Sequence, residues 1–280
     1  MRTNVTRCFA LLAVSLAAMI GLNELYAQSG NEVLLVQRFQ PNKTYIQQTA
    51  QVTKMQVHIL KMPKGADASA AEKVNSLVTM NARQEMTTGD RNSRGDVSYT
   101  AAFEQKMAVK VNGELQKLPG QAADMRFSYR GRLDSLGAVT LDSVLQGPGD
   151  LQALKATVNN LSKNMQLPNK RVKVGNWISQ EVPFNMDQFS GKLLMRYHLD
   201  SIAGNKAFFT LDQNMDLDMV NGALAMKGKA KGPGKMTYLI REQMVDSMSI
   251  ELIMQMRSNI GEMMMDLDGR TELSVNNSMK

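Results

Sequence analysis

The sequence predicts a mainly β protein of the α+β class: one large curved antiparallel sheet or partly closed half-barrel of meander topology, with one amphipathic helix packed on or in it. Three observations support this prediction. Apolar and polar residues alternate over long stretches, turn-forming dipeptides separate those stretches, and one segment has helical periodicity instead. With 280 residues, 43% hydrophobic and 21% charged, the chain can bury a large core.

The longest alternation covers residues 97–111 and predicts a strand with one buried and one solvent-facing side. Only Gln105 breaks its apolar row. The dipeptide Asn112-Gly113 that follows is typical of a two-residue hairpin turn, because both residues tolerate positive φ. Further strands are predicted over residues 32–39, 43–61, 124–133 and 138–144, and a loop over residues 62–72.

The C-terminal half contains several alternating rows with turn signals between them. Turns are predicted at Gly204-Asn205, Asn221-Gly222 and Asp268-Gly269, and a chain break at residues 232–234, which read Gly-Pro-Gly. Turns so close together favour an up-and-down meander.

One segment departs from the strand pattern. Apolar residues at positions 151, 154, 158, 161 and 165 are spaced by three and four, which predicts an amphipathic helix. Asp150 is a suitable N-cap, and Pro168 lies just beyond the end. The apolar stripe needs a partner, and the open face of a curved sheet would supply one. Composition marks no linker, so we expect residues 28–280 to form a single β-rich domain.

The N-terminus predicts export. Arg2 and Arg7 precede an uncharged, apolar-to-small run over residues 8–22, and Ala27 is an acceptable residue before a cleavage site. Residues 1–27 are therefore interpreted as a signal peptide, with a periplasmic, outer-membrane-associated or extracellular destination. The single cysteine lies within this segment, which excludes disulfide frameworks, cysteine zinc cages and cysteine nucleophiles in the mature chain.

The formal net charge of +7 favours anionic partners through long-range steering. Basic residues cluster at 170–173 and 227–235, but no aromatic side chains are interleaved with them, so we expect no nucleic-acid partner. Contact with a membrane surface is compatible with the charge. The sequence does not determine an oligomeric state.

No catalytic residue, metal site or cofactor is predicted. The two histidines, His58 and His198, fall within predicted strands, where solvated side chains are expected. The acidic run over residues 212–218 begins like a calcium loop. Leu217 stands where that loop requires glycine, and Ala223 stands where it requires glutamate, so the run is interpreted as the wet face of a strand. The sequence therefore predicts that the protein is not an enzyme.

Methionine is the compositional anomaly, with 23 residues. Most methionines fall on the alternating apolar rows, where a flexible thioether fills irregular space and tolerates varied ligands. The alternative is a metal function, because thioethers are soft ligands that suit Cu(I). The residues that could supply them are at 254 and 256, or at 263–265.

Several stretches together carry a resemblance to a known family. They are Pro-Asn-Lys-Thr-Tyr at 41–45, Lys-Arg-Val-Lys-Val-Gly-Asn-Trp at 170–177, and Tyr-His-Leu-Asp-Ser-Ile at 197–202. With the export signal, they resemble a family of secreted bacterial proteins that is known as domain of unknown function 6263. The family usually carries an acidic residue at the position of Asn176 and an aspartate before a glycine turn near residues 237–241, and this sequence departs from both. No catalytic residues are assigned in the family, so the resemblance implies none here.

Two further expectations follow. Trp177, the sole tryptophan, is interpreted as a core anchor at a strand start. The protein is expected to be a non-enzymatic binding or scaffolding protein that holds an apolar, lipid-like or lipoprotein-like ligand, with a methionine-rich copper-handling protein as the alternative. The predicted apolar lining consists of Leu154, Val158, Leu161, Met215, Met219 and Met254.

Overall fold

The computed structural model describes residues 30–62, 74–117, 124–134, 137–147, 166–186, 189–221, 224–260 and 262–280. In these ranges the chain forms fourteen β-strands. They are β1 (Glu32–Leu35), β2 (Thr44–Lys61), β3 (Val74–Arg91), β4 (Val97–Val111), β5 (Glu114–Leu115), β6 (Asp124–Leu133), β7 (Val139–Gln146), β8 (Lys170–Lys173), β9 (Trp177–Met186), β10 (Phe189–Ala203), β11 (Lys206–Asn221), β12 (Leu224–Leu239), β13 (Met244–Ile260) and β14 (Met263–Met279).

All but two of the strands form one antiparallel sheet of 12 strands, in the order β7-β6-β4-β3-β2-β14-β13-β12-β11-β10-β9, with β5 paired to β4. Two meanders make up this order, and pairing between β14 and β2 joins them. The remaining strands, β1 and β8, pair with each other in a separate two-stranded sheet. The predicted large antiparallel sheet with meander connections is confirmed. In the part of the chain that the structure describes, no pairing joins the two outermost strands, β7 and β9.

Period-two alternation decides which side of each strand is buried. Strand β4 alternates between buried and exposed residues along nearly its whole length. Gln105 occupies a position on its buried side and is only 2% exposed. The predicted hairpin turn after β4 is also confirmed, because Asn112 and Gly113 have φ values of 51° and 89°. Gly204, at φ 60°, starts the two-residue turn between the paired residues Ala203 and Lys206.

Two predicted interruptions are wrong. Asp268-Gly269 lies inside β14, where Asp268 pairs with Gln255 on one side and Gln56 on the other. Residues 232–234 lie inside β12, and pairing to β11 continues through Pro233. Pairing to β13 lapses at residues 232 and 233 and resumes in the same register, since proline has no N–H to donate. Here the neighbouring strands override the local turn chemistry.

The predicted helix falls on residues 151–165, which lie outside the described residues. The predicted signal peptide and most of the predicted loop at 62–72 also lie outside them. No helix occurs in the described ranges, and accordingly none there is long and apolar enough to cross a membrane.

The segment around β1 covers one end of the sheet. Val33 and Leu35 pack in a buried cluster with Phe209 and Tyr238, and Phe39 joins a second cluster with Tyr99, Leu133 and Leu141. The Tyr238 hydroxyl donates a hydrogen bond to the Val36 carbonyl at 2.6 Å. The sheet's buried side at this end is therefore filled by the chain's own apolar residues.

Candidate functional site

The buried side of the large sheet, which carries residues such as Met55, Met80, Phe209 and Leu273, is called the inner face here, and the opposite side the outer face. Two residues of the predicted lining can be placed on it: Met215 is 8% exposed and Met254 is half-buried. Met219 belongs to β11, but its side chain is not described, and Leu154, Val158 and Leu161 lie outside the described residues.

Three methionines alternate with small residues in one line across the inner face. In register from β11 to β2, this line reads Met215, Ala230, Met254, Gly269, Met55 and is called the methionine row. A Cβ placed on Gly269 would be 2.9 Å from Met254 Cε and 3.2 Å from Met55 Cγ. The two methionine side chains therefore occupy the space that a larger residue would fill.

The next line across the inner face repeats this arrangement. Gly228 on β12 pairs with Met256 on β13, and a Cβ on Gly228 would collide with Met256 Cγ. Met256 is only 4% exposed. The interpretation of methionines as core residues is confirmed for Met55, Met215 and Met256, whereas Met254 is half-buried.

The line beside the methionine row is polar at its two ends, with Gln213 on β11 and Thr271 and Thr53 on β14 and β2, and Gly232 and the apolar Leu252 lie between them. Thr53 and Thr271 face each other with their hydroxyl oxygens 2.9 Å apart, and the Thr271 hydroxyl points at Met254 Sδ at 3.9 Å. Gln213 belongs to the same line and is 2% exposed, yet its Nε2 has no hydrogen-bond partner among the residues that the structure describes. Its two cross-strand neighbours are Gly232, which has no side chain to accept a bond, and Met195, whose thioether is a weak acceptor that receives the Tyr197 hydroxyl. An amide donor without an acceptor thus lies next to the methionine row.

Four further polar atoms on the inner face are in the same condition. Ser76 Oγ, Gln105 Oε1, Gln180 Oε1 and Ser258 Oγ are buried and have no hydrogen-bond partner among the described residues. Most buried polar groups in proteins are hydrogen-bonded, and exceptions call for a bound molecule, a water or a functional role. Sequence reasoning did not select Gln213. Its position between Leu211 and Met215 in an alternating apolar row is the signal that could have found it.

The end of the inner face near β1 contains a cavity of about 30 Å³, bordered by Tyr45, Tyr99, Tyr129, Gln84 and Asn277 among others. Burial raises the pKa of all three tyrosine hydroxyls above their ordinary value, so they stay protonated at neutral pH. A cavity of this size holds one or two water molecules but no lipid.

Trp177 is not a core anchor, contrary to the prediction, because it is 43% exposed on the outer face. It begins β9, at the edge of the sheet, and pairs in register with His198 on β10. The two ring centroids are 4.9 Å apart, and Arg196 Cζ lies 4.7 Å from the tryptophan ring centroid. The Trp177 ring therefore packs against the Arg196 guanidinium and the His198 imidazole of the adjacent strand.

His198 is half-buried rather than fully solvated. Its Nδ1 lies 2.6 Å from Asp200 Oδ1, and the Thr210 hydroxyl donates to Asp200 Oδ2 at 2.8 Å. The carboxylate is thus shared between imidazole and hydroxyl. The other histidine, His58, has its Nε2 3.8 Å from Asp268 Oδ2.

The acidic run on β11 faces outward and is paired with basic residues of adjacent strands. Asp212 faces Arg196 at 3.4 Å, Asp216 faces Lys229 at 3.8 Å, and Asp218 faces Lys227 at 3.1 Å. The interpretation of this run as the solvent-exposed face of a strand is confirmed. Among the described residues, no group of three or more histidine, cysteine, aspartate or glutamate side chains could hold a metal ion.

Comparisons with known proteins give no family and no relative. No family model matches the chain, and no curated protein matches it either. The resemblance to domain of unknown function 6263 therefore stays a prediction.

Solved structures that show some similarity are outer membrane channels. A Pseudomonas putida F1 outer membrane channel is 6% identical, with a TM-score of 0.27, and the match covers 91% of this chain and 100% of that one. Pseudomonas aeruginosa OccK7 (OpdD) is 6% identical, with a TM-score of 0.24 and coverage of 85% and 99%. Pseudomonas aeruginosa OpdQ is 8% identical, with a TM-score of 0.25 and coverage of 84% and 98%. Similarity at this level carries no argument about fold or function.

Proposed function

We propose that this protein is an exported, non-enzymatic binding protein that holds an acyl-chain-like ligand on the inner face of its large sheet. The apolar chain of the ligand lies along the methionine row, and an oxygen of its polar end accepts a hydrogen bond from Gln213 Nε2. One observation carries the proposal: the amide donor of Gln213, 2% exposed and without a partner in the described part of the chain, borders an apolar, methionine-lined surface.

The energetic argument concerns the amide. A buried donor without an acceptor costs about 1–3 kcal/mol, and an ester, carboxylate or amide oxygen of a ligand would remove that cost on binding. A purely apolar occupant would not. The donor therefore favours an amphipathic ligand over a plain hydrocarbon.

The methionine row supplies adaptable apolar contacts. Ala230 has only a methyl group and Gly269 has no side chain, so space is left over β12 and β14. The side chains of Met55, Met215 and Met254 fill that space. Each methionine has several rotatable bonds, so these side chains can move aside for a chain of variable shape.

Export is part of the proposal and is supported by the predicted signal peptide at residues 1–27. Ligands with acyl chains are abundant in the membranes and envelope that an exported protein meets. The net charge of +7 further favours ligands with anionic ends.

The test is native mass spectrometry of the purified protein after exposure to palmitate or to a bacterial lipid extract, with displacement of a fluorescent apolar dye in parallel. We expect a retained ligand mass in the wild type and at least about tenfold weaker binding in Gln213→Met, which keeps the side-chain length but removes the donor. Gln255→Met is the matched control, because Gln255 is exposed on the outer face. A bare protein mass with no dye displacement would contradict the proposal.

A second candidate function is soft-metal binding on the same row. Met254 and Met55 converge above Gly269, and the Thr271 hydroxyl fixes the direction of Met254 Sδ. Thioethers of this kind suit Cu(I). In a competition titration with a Cu(I) chelator, Met55→Leu/Met254→Leu should abolish binding. The matched variant with leucine at positions 263–265 should keep it if the row is the site and should lose it if those three residues are the site.

A further inference from the structure

A wide depression of about 530 Å³ lies on the outer face, across β14, β2, β3 and β4. It is called the basic cleft here, because Lys54, Lys110 and Arg270 border it and Asp268 is the one acidic residue of its lining. Gln56, Asn75 and Leu77 also line it. Met55 and Gly269 of the methionine row also belong to the lining, but the charged side chains point to the side of the sheet opposite the proposed inner-face ligand.

Strand register brings the basic residues together. Arg270 pairs with Lys54, Lys54 pairs with Leu77, and Leu77 pairs with Lys110. Side chains directly opposite each other are about 5 Å apart at Cβ, and like charges in that position repel. Lys54 and Lys110 are two strands apart, or about 10 Å. An anion bound between Lys54 and Lys110 would reduce the repulsion between these cations.

The charges are unevenly neutralised. Arg270 forms ion pairs with Glu251 at 3.0 Å and with Glu272 at 3.3 Å. Lys54 and Lys110 form no ion pair with any residue that the structure describes. The carboxylate of Asp268, the acidic residue of the cleft, lies near His58 instead. Within the described part of the chain, the two ammonium groups of this concave site thus have no counter-charge.

The rim of the cleft is fixed by the hairpin after β4. The Asn112 backbone N–H donates to the Asn75 carbonyl at 2.8 Å, and the Asn75 backbone N–H donates to Asn112 Oδ1 at 2.8 Å. These two hydrogen bonds hold the backbone near Lys110 against β3. The neighbouring Leu115, which pairs with Lys110, is 68% exposed and offers an apolar surface beside the charge.

We propose that the basic cleft binds an oxyanion of the phosphate class, either free phosphate or the phosphate of an anionic lipid headgroup. Two lysines match a doubly charged group, and lysine binds phosphate well as a compact point charge. The side-chain amides of Gln56 and Asn75 are additional donors at the cleft. Exposed Leu115 would lie next to the first carbons of a lipid.

The experiment compares wild type with Lys54→Gln/Lys110→Gln and with a matched control, Lys170→Gln/Lys173→Gln. Both lysines of the control are exposed on β8, and both double variants lose the same charge, so long-range attraction falls equally. Binding of inorganic phosphate is followed by NMR titration at low ionic strength. Binding to vesicles is followed by flotation, with phosphatidylglycerol or phosphatidylcholine as the lipid. Circular dichroism verifies the fold of each variant.

We expect the Lys54/Lys110 variant to lose about tenfold or more in affinity and the control to stay within about twofold. If the Lys54/Lys110 variant loses affinity for inorganic phosphate, the site is supported and its ligand is a free oxyanion. If the variant loses affinity only for phosphatidylglycerol vesicles, the site is supported and its ligand is a lipid headgroup. The proposal is overturned if the wild type binds neither, or if both double variants weaken binding equally. A wild type that does not bind palmitate would contradict the proposed inner-face ligand but would not affect the test of the basic cleft.

Discussion

Gly269 lies directly beneath the methyl group of Met254, so that a Cβ on the glycine would be 2.9 Å from Met254 Cε. The same kind of contact joins Gly228 to Met256 one line further along the inner face. Glycine in a strand normally weakens it, because it costs backbone entropy and packs nothing. Here each glycine makes room for a methionine of the adjacent strand.

Alanine at these two glycines should destabilise the fold unequally. At Gly228 the new methyl group would be 2.7 Å from the Gln255 carbonyl and 2.9 Å from Met256 Cβ, which cannot move without the backbone. At Gly269 the nearest atom is the mobile end of Met254. We expect Gly228→Ala to cost about 2–3 kcal/mol and Gly269→Ala about 1 kcal/mol or less, measured by urea unfolding. The reverse order would contradict the packing described here.

Gln213→Met should stabilise the ligand-free protein. The substitution replaces a buried donor that lacks an acceptor with an apolar group of similar length, for an expected gain of about 1–2 kcal/mol. Delipidated wild type and variant are compared by chemical denaturation, and Gln255→Met on the exposed face should change stability by less than about 0.5 kcal/mol. A loss of stability in Gln213→Met would mean that the amide has a partner in the resting state.

Tyr238→Phe should destabilise the protein by about 1 kcal/mol or more, because it leaves the buried Val36 carbonyl without its 2.6 Å hydrogen bond. Tyr197 provides the control. It is buried to a similar degree, but its hydroxyl donates only to Met195 Sδ, at 3.4 Å. Thermal unfolding should show a clearly smaller shift for Tyr197→Phe. Equal shifts would indicate that the bond to Val36 contributes nothing.

The ion pair between Arg257 and Asp266 should make stability depend on acid pH. The hydrogen bond from Arg257, aided by its charge and that of His58, holds the pKa of Asp266 below the ordinary 3.8 despite opposing desolvation. A depressed carboxyl pKa contributes stability above the ordinary value, and that contribution is lost as pH falls through the lower folded value. Urea midpoints measured from pH 5 downward, in steps of about one unit, should therefore fall less steeply for Asp266→Asn than for wild type. Asp216→Asn, with a partner 3.8 Å away, should follow the wild type.

Arg196→Ala should expose the ring of Trp177. The guanidinium lies 4.7 Å from the ring centroid and shields one side of the indole, and the contact contributes about 0.5–1 kcal/mol at an exposed site. Because Trp177 is the sole tryptophan, quenching of its fluorescence by acrylamide, a neutral quencher that does not respond to the lost charge, reports on this ring alone. We expect stronger quenching in Arg196→Ala and no change in Arg130→Ala, whose guanidinium donates to Ser143 on β7. Unchanged quenching in both would show that the ring is not covered.

Sequence periodicity predicts the strands well, because alternation records which side of each strand is buried. Strand β4 and the turn after it, at Asn112-Gly113, are the clearest cases. The pairing of β14 with β2 could not be predicted in this way, since strands far apart in sequence share no local signal. The errors at Asp268-Gly269 and at residues 232–234 have a related cause: turn propensity is local, whereas pairing on both sides is not.

The candidate site was predictable only in part. Alternation places Met215 and Met254 on a common apolar face. It does not show that Gly232 leaves Gln213 without a partner, because that depends on cross-strand register. The same holds for Lys54 and Lys110, which become neighbours only across β3. Trp177 was misassigned because burial at the edge of a sheet depends on the strand's neighbours rather than on its own residues.

The seam between β2 and β14 constrains how the polypeptide acquires its shape. Thr53 and Thr271 touch across this seam although 218 positions separate them, and Thr44 exchanges backbone hydrogen bonds with Lys280. An early strand at the middle of the sheet must therefore wait for the last one to be synthesised, and contacts between such distant partners form slowly. A chain that cannot form this seam until β14 has been synthesised stays unfolded for longer, which would suit the membrane passage that the proposed export requires.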